Sequence, residues 1–284
     1  MPTIAGSDGT KLYYEEAGTG TPVVFVHEYA GDWRTWEPQV RYFSRLHRCV
    51  TYSQRGYPPS EVPSDGERYT QDFFRDDVIA LMDALKIDKA HVVGHSMGGS
   101  TALQVGIKYP LRCISVVAAG TGYGSFPDEK RREEAKASSR ENAKMFTSQG
   151  IKAAAATYAD GPTRQAYKHK DPRGYAEFAR MLSEHSTEGH AHTMANLQAR
   201  RPTLWEMEAA LKTFAPPLLV IVGDEDEPCL EPSLFIKHTA PTAGLLVIPR
   251  SGHTINSEEP AAFNAALADF FPAAEAGRWL AHKA

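Results

Sequence analysis

Apolar positions along the chain fall into two alternating textures. The first is the short run with few polar interruptions: residues 23–26 (Val-Val-Phe-Val), 49–52, 91–93, 114–118, 218–222 and 245–248. Runs of this length suit strands covered on both faces. The second texture has helical spacing. Residues 72–85 place Phe73, Phe74, Val78, Leu81, Met82 and Leu85 at intervals of three and four. Residues 100–109 read as a helix that ends before Pro110, and residues 260–271 set Phe263, Leu267 and Phe270 on one side. Ahead of these, Asp8-Gly9 followed by the strand-like stretch 11–16 predicts an N-terminal hairpin. Alternation of strand and helix predicts an α/β fold with a mostly parallel, doubly wound sheet and helices on both faces.

The alternation is interrupted once. From 128 to about 201 the chain is rich in Ala, Arg, Lys and Glu and lacks apolar strand runs, after which strands resume. The reading is a core formed by residues 1–122 and 210–284, with a helical insertion at 123–209 seated above one end of the sheet.

Composition narrows the function classes. With 42% hydrophobic residues over 284 positions, the chain can bury one large core. A net charge of −4 with no long run of one sign removes nucleic acid as the expected partner. Cys49, Cys113 and Cys229 are odd in number, widely separated and without a CxxC, so neither a disulfide framework nor structural zinc is expected. The first twenty residues carry Asp8, Glu15 and Glu16 and do not read as a signal peptide, and no apolar run approaches the ~20 residues of a membrane span. The expectation is a cytoplasmic protein with a small-molecule partner; oligomeric state leaves no mark in the sequence.

The chemistry centres on Gly94-His95-Ser96-Met97-Gly98-Gly99, which lies between a strand and a helix. A serine on so sharp a turn stands clear of the sheet edge, and the small neighbours let the backbone cross closely. The helix start then offers N–H groups and a positive dipole end. A serine nucleophile needs a base. Of eleven histidines, including His282 near the C-terminus, His253 in Ser251-Gly252-His253-Thr254 follows a strand run directly and precedes the last helix. The base needs an orienting carboxylate. Gly223-Asp224-Glu225-Asp226-Glu227 follows the strand at 218–222 and offers four acids, among which spacing alone leaves Asp224 and Asp226 open.

The order Ser96, then Asp224 or Asp226, then His253 resembles that of the α/β-hydrolase superfamily, and the resemblance runs over nearly the whole chain. It implies Asp226 as the acid, with Asp224 the runner-up, and the backbone N–H groups of Tyr29 and Met97 as an oxyanion hole. It also implies that the insertion is a helical cap. Gln54-Arg55-Gly56-Tyr57-Pro58-Pro59-Ser60 is similar to the superfamily's D-x-R-G-x-G-x-S loop but departs from it at Gln54 and Pro59. His27-Glu28-Tyr29-Ala30-Gly31 stands where such hydrolases carry H-G-x-x-G, so a carboxylate replaces a glycine beside the oxyanion site. Because a negative charge there is repulsive, Glu28 is expected to turn away onto a buried partner, Arg55, or else to contact substrate or water.

The activity so implied is a serine hydrolase for small carboxylic esters or lactones, working through an acyl-enzyme with no cofactor and no metal. Hydrolysis of carbon–carbon bonds in ring-cleavage products, cofactor-free haloperoxidase-like chemistry, and a non-catalytic ligand binder on the same scaffold are the alternatives. Trp33, Phe126 and His95 near the loops, and Met145 and Tyr158 in the insertion, are candidate pocket residues; most apolar residues of the insertion are expected to pack only. His185, His190 and His192 form a loose histidine cluster with no acid that sets a ligand geometry.

Overall fold

The computed structural model describes residues 1–281. The apolar runs become strands of one eight-stranded sheet, ordered β1-β2-β4-β3-β5-β6-β7-β8. Strand β1 (Thr3–Ala5) and β2 (Lys11–Ala17) form the predicted hairpin, with Gly9 at φ +87° in the turn. Strands β3 (Thr21–Val26), β4 (His47–Tyr52), β5 (Ala90–His95), β6 (Cys113–Ala119), β7 (Leu218–Gly223) and β8 (Ala243–Ile248) run parallel.

Because successive side chains of a strand point to opposite faces, each run feeds two cores. Val24, Val26, Val50, Val92, Val116 and Val220 pack under Val78, Leu81 and Met82 of helix α2, with Leu103 and Ile236 of α3 and α9. Their strand neighbours Val23, Phe25, Val93, Val117 and Ile221 pack against Phe43 of α1 and Phe263, Leu267 and Phe270 of α11. These helices span Glu37–Phe43 (α1), Gln71–Ala84 (α2), Met97–Lys108 (α3), Glu227–Thr239 (α9) and Pro260–Glu275 (α11). Two boundaries differ from the sequence pattern. Helix α3 starts three residues early, because Ser96 alone makes the turn. Helix α11 passes through the exposed Pro272 to Glu275. Helix α9 opens with Pro228 in its first turn, where no N–H is required.

Between β6 and β7 the chain is helical. It runs through α4 (Glu129–Ala159, with Gly150 at φ +74° inside it), a short 3₁₀ turn Pro162–Arg164, α5 (Gln165–Lys170), α6 (Pro172–Ser183), α7 (Thr187–His192) and a π-helical turn Thr193–Gln198. After it comes α8 (Glu208–Leu211), while α10 (Ile255–Glu258) follows the loop after β8. Phe146, Ala154, Met194 and Leu197 of the insertion share a core with Tyr29, Tyr57 and Met97; Ala155, Phe178 and Leu182 close over Ala30. The insertion thus sits on the loops at the carboxyl ends of β3, β4 and β5, where parallel sheets bind ligands. Among the described residues, no helix is long and apolar enough to cross a membrane.

Candidate active site

Ser96 ends β5 and starts α3 with φ +54°, ψ −111°, a left-handed backbone that a non-glycine residue adopts only under constraint. The constraint is close packing. A Cβ on Gly94 would lie 2.1 Å from the Gly98 carbonyl oxygen, and one on Gly98 would lie 2.0 Å from that of Val26. Only glycines let the strand, the helix start and the loop after β3 meet here. The Ser96 N–H donates to the Ala119 carbonyl at 2.7 Å and holds the turn to β6.

His253 reaches this hydroxyl from the loop after β8. The Ser96 hydroxyl donates to His253 Nε2 at 2.8 Å, and His253 Nδ1–H donates to Asp226 Oδ2 at 2.7 Å. Two loops are stitched together to bring this about. Gly223 abuts Ser251 so closely that a Cβ would stand 2.1 Å from its carbonyl oxygen, the Glu225 N–H donates to that oxygen at 2.9 Å, and Asp224 Oδ1 accepts the Ser251 N–H at 3.1 Å. Asp224 therefore braces the histidine loop, while Asp226, nearly fully buried, meets the imidazole. Burial acts to lower the His253 pKa, but the charge and hydrogen bond of Asp226, with Glu28 adding to them, outweigh it and raise the pKa above 6.5.

Tyr29 and Met97 flank the serine. Met97 is the first residue of α3, where the N–H groups lack helical partners, and Tyr29 lines the cavity with its hydroxyl donating to the His190 carbonyl at 3.2 Å. His95 points away from Ser96; its Nε2 lies 2.6 Å from the His253 carbonyl oxygen, and burial, partly countered by Glu28, pushes its pKa down to about 4. The neutral ring donates that bond and fixes the histidine loop from below.

The Glu28 carboxylate is held by a buried partner, but that partner is not Arg55. Arg164 of the 3₁₀ turn in the insertion grips it with two bonds, Nη1 to Oε1 at 3.0 Å and Nη2 to Oε2 at 2.5 Å, and both side chains are buried. Burial raises the Glu28 pKa, yet Arg164 more than offsets this and holds it at about 2. Arg55 is bound instead to Asp77 and Asp8. Sequence spacing gave no reason to prefer an arginine 136 residues away. Arg164 Nη1 also donates to Thr254 Oγ1 at 2.6 Å, and the His253 N–H donates to the neighbouring Thr163 carbonyl at 2.8 Å. One turn of the insertion thus ties the loop after β3 to the histidine loop. Gln54, where the motif departs, joins its own loop to the one after β3: its side-chain amide donates to the His27 carbonyl at 2.8 Å.

A cavity of about 380 Å³ opens over the serine, and Ser96, His253, Asp226, Tyr29, Met145 and Tyr158 are part of its wall. Of the apolar insertion residues, Tyr123, Met145, Tyr158, Pro162 and Met194 reach it, while Phe146, Phe178 and Leu197 pack in the two cores beneath the insertion. Trp33 and Phe126 do not line it. Trp33 begins a 3₁₀ turn aimed at the sheet edge, its Nε1–H donating to Glu15 at 3.0 Å, and Phe126 lies under the Arg131 guanidinium 4.0 Å away. Arg164, Arg201 and Thr163 of the wall carried no sequence signal, since an insertion's loops and turns have no period that points inward.

The histidines of the insertion are not gathered as ligands. His185 and His190 are linked in series to Asp32, at 2.9 and 3.0 Å, whereas His192 packs on Tyr69. Among the described residues, ligand atoms of Asp226, Cys229 and His253 lie within 4.8 Å of one another. The first and last of these are already bonded to each other, and burial pushes the Cys229 thiol well up, away from the thiolate a metal requires. His282 lies outside the described residues.

A family profile described as alpha/beta hydrolase fold matches residues 21–260. The chain is 27% identical to the 2-hydroxymuconate semialdehyde hydrolase of Pseudomonas sp. (strain CF600), over 94% of this chain and 93% of that one. It is also 27% identical to 3-oxoadipate enol-lactonase 2 of Acinetobacter baylyi, over 86% of each. Among solved structures, a thermophilic esterase from Thermogutta terrifontis, with malate bound, superposes with a TM-score of 0.84 at 25% identity, covering 96% of this chain and 98% of that one.

Proposed function

The chain belongs to the alpha/beta hydrolase fold family and is a hydrolase, and from that premise we propose that it cleaves small carboxylic esters or lactones through an acyl-enzyme on Ser96. The observation that carries the reading is the line from the Ser96 hydroxyl through His253 to Asp226, with bonds of 2.8 and 2.7 Å and the serine facing a cavity. Ser96 Oγ attacks the substrate carbonyl carbon as its proton passes to His253 Nε2, and Asp226 stabilises the imidazolium. The Tyr29 and Met97 N–H groups hold the developing oxyanion, each such donor being worth on the order of 3 kcal/mol. His253 then gives its proton to the departing alkoxide. Water, deprotonated by the same imidazole, attacks the acyl carbon and frees Ser96. The helical insertion acts as the cap that closes the acyl pocket. The esterase and lactonase among the similar proteins support the bond type.

The 27% identical semialdehyde hydrolase favours a second reading, cleavage of a carbon–carbon bond beside a carbonyl by the same three residues. Ser96→Ala lowers turnover of p-nitrophenyl esters by several orders of magnitude with melting temperature retained, and a fluorophosphonate probe labels the parent protein at Ser96 alone. Turnover that survives this substitution rules the mechanism out. Hydrolysis of a ring-cleavage dienoate in preference to every ester and lactone tried selects the second reading.

A further inference from the structure

Among the described residues, two arginines reach the cavity above Ser96, and one of them is neutralised. Arg164 is paired with Glu28. Arg201, just past the π-helical turn, donates from Nη1 to Ser100 Oγ and from Nη2 to the Tyr123 carbonyl, both at 3.1 Å, and has no carboxylate within ion-pair distance among the described residues. A guanidinium carries five N–H donors, so three remain unused. Among the described residues, the one acid on the cavity wall, Asp226, is occupied by His253. Burial lowers the Arg201 pKa to about 10, which leaves it cationic at neutral pH. Arg201 is half-buried at the cavity wall, and an anion entering the cavity supplies the counter-ion it lacks.

We propose that Arg201 seats a carboxylate of the substrate, so that the preferred substrates are esters or lactones bearing a second, free carboxylate. The planar fork of a guanidinium matches two carboxylate oxygens. Position sets the length. Ser100 stands one turn, about 5 Å, beyond Ser96 on α3, its N–H on the Ser96 carbonyl at 3.0 Å, and its hydroxyl accepts from the Arg201 guanidinium. That span suits a carbonyl and a carboxylate separated by two to four methylenes, roughly the monoesters of four- to six-carbon dicarboxylic acids. Gln198 and Ser139, on the same wall, are neutral and leave the charge to Arg201.

The inference rests on the serine-hydrolase reading, and the test separates the two. The monoester p-nitrophenyl hydrogen glutarate is compared with p-nitrophenyl pentanoate, which replaces the carboxylate by a methyl group. The parent protein favours the anionic ester by tenfold or more in kcat/KM. Arg201→Gln lowers that ratio at least tenfold, mainly through KM, and Arg201→Lys restores part of it; a ratio cancels any loss of folded protein. Calorimetry with glutarate dianion on Ser96→Ala protein gives binding that the added Arg201→Gln change abolishes, with no turnover involved. A ratio that does not move, or glutarate binding that ignores residue 201, overturns the carboxylate seat and leaves the hydrolase reading standing. Absence of turnover with every ester, beside intact glutarate binding, overturns the hydrolase reading instead.

Discussion

At the scale of single residues, the site is a set of groups whose environments pull their titrations apart. His253 has its pKa raised by Asp226, whereas its neighbour His95, beneath it, is driven to about 4. In the proposed mechanism only neutral His253 accepts the serine proton, so the active fraction falls as pH drops through its raised pKa. The expected profile of kcat/KM against pH therefore has an acid limb centred above 6.5, and Asp226→Asn moves that limb downward while cutting kcat by about three to four orders of magnitude. A limb centred well below 6.5 in the parent protein contradicts the pairing. The Ser96 turn was legible in the sequence because so sharp a strand-to-helix turn demands glycines on either side. Asp226 was not separable from Asp224 by pattern, since two acids two residues apart on one loop differ only in how that loop folds. The structure gives them distinct partners, Asp224 the Ser251 N–H and Asp226 the imidazole.

At the scale of elements, the turn Pro162–Arg164 is the feature that joins insertion to core. It carries the Arg164 bonds to Glu28 and Thr254 and the Thr163 carbonyl under the His253 N–H. A buried ion pair is weak support for stability when compared with apolar substitutes, but breaking one side leaves a buried charge unmatched. Arg164→Met alone is thus expected to destabilise the protein by about 3–5 kcal/mol in denaturant unfolding and to lower kcat, because Glu28 then bears an uncompensated charge near the oxyanion. The double variant Glu28→Gln/Arg164→Met recovers much of that stability. Equal losses in single and double variants would show that the pair does not act as a unit. Strands and the long helices were foreseeable from period alone. The loops were not, because a contact such as Glu28 to Arg164 has no local pattern and is created by where the insertion lands.

At the scale of the whole molecule, acid sensitivity follows from histidines buried in both core and insertion. Burial holds His27, His91 and His95 at about 4 and His190 well below 6.5, so these rings stay neutral in the folded state while the unfolded chain takes up protons. A depressed histidine stabilises the fold fully above the unfolded pKa, and that contribution is lost as pH falls from about 6.5 toward the folded value, by up to about 1.4 kcal/mol per unit for each ring. His253 has the opposite sign: its contribution is present below 6.5 and is lost as pH rises through its raised pKa. Four rings outweigh one. Carboxylates held low by arginine, Glu28 at about 2 among them, begin to lose their share only below about 4.5. The melting temperature is expected to fall steadily from pH 6.5 to 4.5, and a flat profile across that window would show these rings charged in the folded state.

Much of the molecule was settled by chain pattern alone. Apolar runs covered on both faces require a sheet sandwiched by helices, and Gly94 to Gly99 between strand and helix requires an exposed serine turn; both consequences are local and periodic. What only folding decided is which distant groups meet. Asp226 over Asp224, Arg164 rather than Arg55 opposite Glu28, and Arg201 without a counter-ion among the described residues all depend on loops and insertion turns. Their side-chain directions follow from packing in three dimensions, which no spacing along the chain encodes.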